Sequence, residues 1–231
     1  MSSKCKNILL LVILLLQVSG ISASRKDVIV KTPGTLKTLI SDSEKYEITD
    51  LKIEGCLNAE DLIMLRDMSG CDENENQTKG RLKHIDMTGV TFAKGKTPYI
   101  ENGKDCNIYS ETTFPKYLFS KCRIEKIKLP KGIKSIGKMA FMQSALKEIT
   151  LPEDIILEEE AFQSCRNLSK ITFPSYTKEI NYNCFAGCSK LKKIVINNIG
   201  YISSRAFMQI ENVKEITIRG VLGHVDGWMC Y

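Results

Sequence analysis

The chain has 231 residues, 43% of them hydrophobic, with 33 Lys and Arg against 27 Asp and Glu and a formal net charge of +6. That length supplies one or two domains and a sizeable core. The basic excess is mild, and with a pI near 8.7 and no recognised module it excludes the usual profile of a nucleic-acid binder.

Residues 1–24 read as a targeting segment. Lys4 and Lys6 precede the apolar run Ile8 to Leu16, and small residues follow through Ser24. This is the order of a secretory signal peptide, with cleavage expected after Gly20, Ala23 or Ser24, and the run is too short for a typical membrane span. The expected location is therefore secreted or cell surface, with no membrane span in the mature chain. No Cys directly follows the apolar run, so the lipidation site of many surface proteins is missing.

From residue 25 to 90 the pattern predicts a small α/β cap of irregular repeats. Val28 to Val30 reads as a strand, Pro33-Gly34 as a break, and Thr35 to Ile40 as a brief helix. Tyr46 to Ile53 alternates as a second strand. Asn58 is a good N-cap for a helix from Ala59 to Met68, with Glu60 and Asp61 in its first turn and Leu62, Ile63, Leu65 and Met68 on its buried side. Leu82 to Met87 closes the cap as a third strand, after the polar stretch Gly70 to Gly80. Residues 91–115, rich in Gly, Lys, Asn and Pro, read as a loop or as one degenerate repeat, the second because Ile85 and Ile127 are close to two periods apart.

Residues 116–220 repeat one phrase. The aromatics Phe119, Phe141, Phe162, Phe185 and Phe207 are each followed three places on by Cys122, Ser144, Cys165, Cys188 and Ile210, and then by Ile124, Leu146, Leu168, Leu191 and Val213. Behind these come alternating pairs: Ile127 and Leu129, Ile149 and Leu151, Ile171 and Phe173, Ile194 and Ile196, Ile216 and Ile218. A fixed period of 22 or 23 residues marks a solenoid. Alternation turns the pairs inward, and Pro130, Pro152 and Pro174 keep the strands short. One such unit cannot bury its own apolar face, so the copies stack as short parallel strands with a column of Phe rings inside. Residues 221–231 form a partial repeat or a C-terminal cap in which Val225 and Trp228 cover the last strand.

The phrase Leu129-Pro-Lys-Gly-Ile-Lys-Ser-Ile136-Gly-Lys-Met-Ala140-Phe141, followed by Leu146-x-x-Ile149-x-Leu151-Pro152, resembles the BspA-type leucine-rich repeat. The later repeats depart from it, with Cys184 in place of the Ala and no proline after Ile196 and Ile218. The resemblance covers roughly residues 114–220. It implies an α/β leucine-rich-repeat solenoid, a place among surface and secreted proteins of Bacteroidetes and some mucosal protists, and a non-enzymatic role in adhesion or host/microbe interaction through the repeat sheet. The partner it implies is a host or microbial surface protein. The alternative is a secreted glycan-binding or enzyme-accessory protein.

Catalytic and metal motifs fail on inspection. His84 and His224 sit in no catalytic phrase, and His84 reads as an exposed strand side chain beside inward Ile85. No phosphate loop, dinucleotide fingerprint, HExxH, GxSxG or calcium loop occurs, so no cofactor or metal is expected. Of the nine cysteines, Cys122, Cys165, Cys184 and Cys188 read as small core residues, with Cys165 and Cys188 near enough in neighbouring coils to bridge. Cys56, Cys71 and Cys106 suit an oxidised bridge better, with partners the sequence does not assign.

What remains is the outward sheet face. Its non-core positions carry Lys126, Lys128, Lys147, Lys170, Lys192, Lys193 and Lys214 against Glu125, Glu148 and Glu215. Such a face either attracts acidic partners, glycans included, or solvates the strands.

Overall fold

The computed structural model describes residues 24–95 and 107–227. The expected signal peptide and the cap position of Trp228 lie outside the described residues, as does Cys106.

The chain winds as a parallel-strand solenoid with two short helices near its N-terminal end. Strand β1 (Ser24–Val30), helix α1 (Leu36–Leu39), strand β2 (Ile48–Leu57), helix α2 (Ala59–Met68) and strand β3 (His84–Phe92) come first. Strands β4 (Thr113–Phe114), β5 (Lys126–Lys128), β6 (Ser135–Ile136), β7 (Glu148–Thr150), β8 (Ile155–Leu157) and β9 (Lys170–Thr172) follow. The chain continues through β10 (Tyr176–Ile180), β11 (Lys193–Ile196), β12 (Asn198–Ile202), β13 (Glu215–Ile218) and β14 (Leu222–Val225).

Two six-stranded parallel sheets result. The first runs β1-β2-β3-β5-β7-β9 and the second β14-β12-β10-β8-β6-β4, while β11 and β13 pair separately. The first sheet stops at β9, and the one coil of 23 residues, between Ile171 and Ile194, takes up its additional residue in β10, whose register against β8 shifts between Thr177 and Glu179. The first three strands thus belong to the same sheet as the repeats. Strand β3 pairs directly with β5, Ile85 facing Ile127. Among the described residues of 91–115, Thr91 and Phe92 end β3 and Thr113 and Phe114 form β4, no strand stands between β3 and β5, and Gly95 bridges Ile108 in antiparallel sense.

The second strand of each coil is the main element that periodicity does not reveal. Ser135–Ile136 and Thr113–Phe114 are only two residues long, too short to alternate visibly. Their inward Phe114, Ile136, Leu157, Ile180 and Ile202 are nonetheless fully buried.

The third side of each coil is the turn around the Phe. In every one of the five copies the residues two before and two after the Phe have positive φ: Tyr117 and Lys121, Met139 and Gln143, Glu160 and Ser164, Asn183 and Gly187, Arg205 and Gln209. Left-handed backbone is strained for a residue with a Cβ. It persists because it turns alternate N-H groups along the stack. The amides of Met139, Phe141 and Gln143 donate to the carbonyls of Glu159, Ala161 and Gln163 of the next coil. This third ladder leaves the turn amides paired although they are in no strand.

Inside, Phe141, Phe162, Phe185 and Phe207 form the expected column, with neighbouring ring centroids 5.2 to 5.5 Å apart and nearly parallel. Its first place differs from expectation. Phe119 is tilted by 32° against Phe141, and Phe114 of β4 supplies the stacked ring at 5.2 Å.

The small residues beside the column have a shared task. The thiols of Cys165 and Cys188 donate to the carbonyls of Phe141 and Phe162, 2.9 and 3.1 Å away in the preceding coil. Both are free thiols, and burial pushes each up, Cys165 to about 12. They act as buried donors, not as a bridge.

Candidate functional site

The outward face of the first sheet carries its side chains in register. Apart from shifts at Ser24/Arg25 and Lys52/Glu54, the parallel strands stack in register, so outward positions form columns. One column runs Arg25, Asp50, His84, Lys126, Glu148, Lys170, each paired with the next across adjacent strands. The next runs Asp27, Lys52, Asp86, Lys128 and ends in Thr150 opposite Thr172. A third lies just before the strands, where the amides of Glu125, Lys147 and Ser169 donate to the carbonyls of Lys83, Glu125 and Lys147.

The expected basic stripe is thus a set of ladders in which charge alternates. Opposite charges one strand apart stabilise the pairing, and like charges there would oppose it. Lys126 pairs with Glu148, Lys128 with Asp86 at 2.7 Å, and Lys193 with Glu215 at 2.7 Å. Glu125 is held between Lys83 and Lys147. His84 Nδ1 lies 2.7 Å from Asp50.

The carboxylates feel this arrangement. Asp86 is pulled down to about 2: partial burial works against its charge, but hydrogen bonds from Lys128 and from the Thr88 hydroxyl and amide outweigh it. The hydrogen bond from Lys147 leads in lowering Glu125, that from Lys126 in lowering Glu148, and that from Lys193 in lowering Glu215.

Of the seven lysines expected to form a binding face, Lys126, Lys128, Lys147 and Lys193 are therefore charge-compensated. Lys170, Lys192 and Lys214 are exposed with no carboxylate at ion-pair distance among the described residues. Lys192 and Lys214 follow one another along the stack through a backbone hydrogen bond. The uncompensated charge thus gathers toward β9, β11 and β13.

Two shallow depressions mark the same face. One, of about 170 Å³, is lined by Arg25, Asp50, His84, Asp86 and Lys126. The other, of about 660 Å³, runs past Lys128, Pro130, Thr150, Pro152, Lys170 and Thr172. His84 is exposed as expected and faces no Ser or Cys nucleophile along these linings. Among the described residues no three His, Cys, Asp or Glu side chains converge as metal ligands.

The second strand, the paired left-handed turns and the stacked Phe are the features of a repeating coil, and a family model decides their origin. The BspA type leucine rich repeat region matches in six copies over residues 112–228. The chain belongs to this BspA-type family. Its first matched copy begins at β4, so the link that precedes β4 and all of β1 to β3 stand before the matched repeats.

Among solved structures, a leucine-rich repeat protein from Bacteroides ovatus matches with a TM-score of 0.51 at 22% identity, covering 78% of this chain and 40% of that one. The likeness is one of fold, and the chain spans about two fifths of that protein's length. A leucine-rich repeat protein from Eubacterium ventriosum matches at 18% identity with a TM-score of 0.44, over 83% of this chain and 72% of that one. No curated protein matches. Among the described residues no helix is long and apolar enough to cross a membrane.

Proposed function

We propose that this BspA-type chain is an exported, non-enzymatic protein-binding module that acts at a cell surface or outside the cell. The outward face of the first sheet would be its contact surface. The observation that carries this reading is the charge ladder. Residues on adjacent strands repeat at the strand spacing of about 4.8 Å, and their ion pairs hold long side chains in one geometry. A rigid face of mixed charge suits another protein surface, which presents both signs, better than a polymer of one sign.

The uncompensated Lys170, Lys192 and Lys214 support a partner with acidic groups over β9 to β13. They also favour the second reading, an acidic glycan along that end. The test compares association of the full chain with mucosal matrix proteins and with arrayed acidic glycans, for the parent and for K170E/K192E/K214E. A protein partner whose association at low salt slows in the triple variant supports the first reading. Binding confined to sulfated or sialylated glycans would replace it with the second, and equal association rates would remove this face from recognition.

A further inference from the structure

The described solenoid is finished differently at its two ends. In β1 the inward Val28 and Val30 are buried, and the position opposite inward Leu51 is taken by Lys26, whose ammonium is held by Glu44 at 2.7 Å. A charge on the inward side of an edge strand opposes the addition of another strand. At the other end the core runs out less covered. Leu191, Ile194 and Ile196 are buried, whereas Val213, Ile216 and Ile218, which repeat them one coil later, are only partly buried. Beside them Val221 and Leu222 are 68% and 49% exposed.

Strand β13 is also an edge. Among the described residues it pairs with β11 alone. The Arg219 amide donates to the carbonyl of Ile196, so Glu215, Thr217 and Arg219 turn their backbone groups toward β11. By alternation Ile216 and Ile218 turn theirs to the open side. Those donors and acceptors, set over partly covered apolar side chains, are what a further strand would engage.

We propose that this edge pairs antiparallel with the same edge of a second copy of the chain, about a twofold axis at Thr217. Charge selects the register. Backbone direction requires that Ile216 and Ile218 of one copy face these same residues of the other. The register centred on Thr217 sets Ile216 opposite the partner's Ile218, each exchanging both backbone hydrogen bonds, and Thr217 opposite itself. It also sets Glu215 opposite the partner's Arg219. Arg219 is exposed with no carboxylate at ion-pair distance among the described residues, and the twofold axis makes the charge pair twice, in the close, non-hydrogen-bonded positions. A register centred on Ile216 would leave Glu215 facing Thr217, and one centred on Ile218 would leave Arg219 facing Thr217, so neither forms this pair.

The contact is isologous and closes at two copies, since the Lys26 edge does not offer the apolar surface that a head-to-tail stack needs. It withdraws the apolar end from water. The proposal is independent of what the outward face binds, but it joins the outward faces of two copies into one sheet, with Lys192 and Lys214 of both near its middle.

The test measures the mass of the full chain by sedimentation equilibrium, from micromolar to submillimolar concentration in reducing buffer. A monomer–dimer equilibrium without larger species is expected. Arg219→Glu sets like charges against Glu215 at both places and should weaken association by about tenfold, as should Glu215→Arg, while the double variant E215R/R219E restores it. In an oxidised sample Thr217→Cys should give a dimer linked through the two introduced thiols, identified by peptide mapping, because facing positions of this kind lie within bridging distance. A chain that stays monomeric throughout, its end closed by residues 228–231 or left open, would overturn the proposal. So would species that grow beyond the dimer, which mark head-to-tail stacking, and a dimer indifferent to Arg219→Glu, which places the contact elsewhere.

Discussion

The ring of Phe162 lies 5.3 Å from that of Phe141 and within 2° of parallel to it. Phe185 holds the same relation on the other side, at 5.2 Å. Three coils therefore meet at one side chain. Phe162→Ala should destabilise the fold by roughly 3 to 5 kcal/mol through lost burial and the cavity left. Lys170→Ala, on the exposed face of the same coil, should stay within about 0.5 kcal/mol. Equal urea midpoints for the two would contradict the inward register.

Gly187 occupies the second left-handed position of its turn with φ +72°. A Cβ there would meet Ser164 Oγ at 3.3 Å. Gly187→Ala should cost about 1 kcal/mol, mostly backbone strain. Gln143→Gly, at the same position two coils earlier, removes strain while loosening the unfolded chain and should change stability by less. Thermal unfolding of both variants checks the difference.

Acid should loosen the ladders in a defined window. Asp86 at about 2 and the lowered Glu125, Glu148 and Glu215 all have folded values below their ordinary ones. The unfolded chain thus binds more protons in acid, so the contribution is whole above the ordinary carboxylate range and is lost as pH falls from about 4 through about 2. Urea midpoints measured from pH 7 to 2.5 should drop in that interval, and Asp86→Asn should flatten part of the slope. A midpoint that is level down to pH 2.5 would show that the ion pairs carry no net stability.

Charge reversal should separate recognition from folding. Lys126→Glu and Lys147→Glu bring like charges against Glu148 and Glu125 and should lower the melting temperature. Lys192→Glu and Lys214→Glu break no ion pair of the described residues and should leave it nearly unchanged, whereas Lys170→Glu sets a like charge opposite Glu148 and should lower it by an intermediate amount. Melting curves of the two sets, recorded at low and at 0.5 M salt, check this. The gap should narrow as salt screens the ladders.

Much of this architecture is legible in the chain because its signal repeats. The Phe column, the inward pairs ending at Pro130, Pro152 and Pro174, and helix Ala59–Met68 follow from local pattern alone. The helix even carries a capping box, Asn58 with Asp61, at the N-cap position read from the sequence. The charge ladders are harder to see, because the partner of Lys126 lies a whole coil away at Glu148 and becomes a neighbour only once register is known. Arg66 stands one turn after Leu62, inside the apolar arc of its helix, but its charge argues for solvent, and nothing local tells that the carbonyls of Tyr117 and Leu118 in the first Phe turn will receive it. The stretch before β4 has a length near a whole period, yet among the described residues β3 pairs directly with β5, a relation that only the register reveals.

Each coil is held chiefly by the coils before and after it, through two sheet ladders, the turn ladder and one aromatic contact. Drawn apart by its ends, such a stack yields from an open end, one coil at a time. Each 22-residue unit (the spacing of Ile127 and Ile149) pays out about 75 Å of extended chain. Under tension the molecule would lengthen in near-equal steps and stay folded beyond the last coil lost, so that a load at one end leaves the face at the other intact.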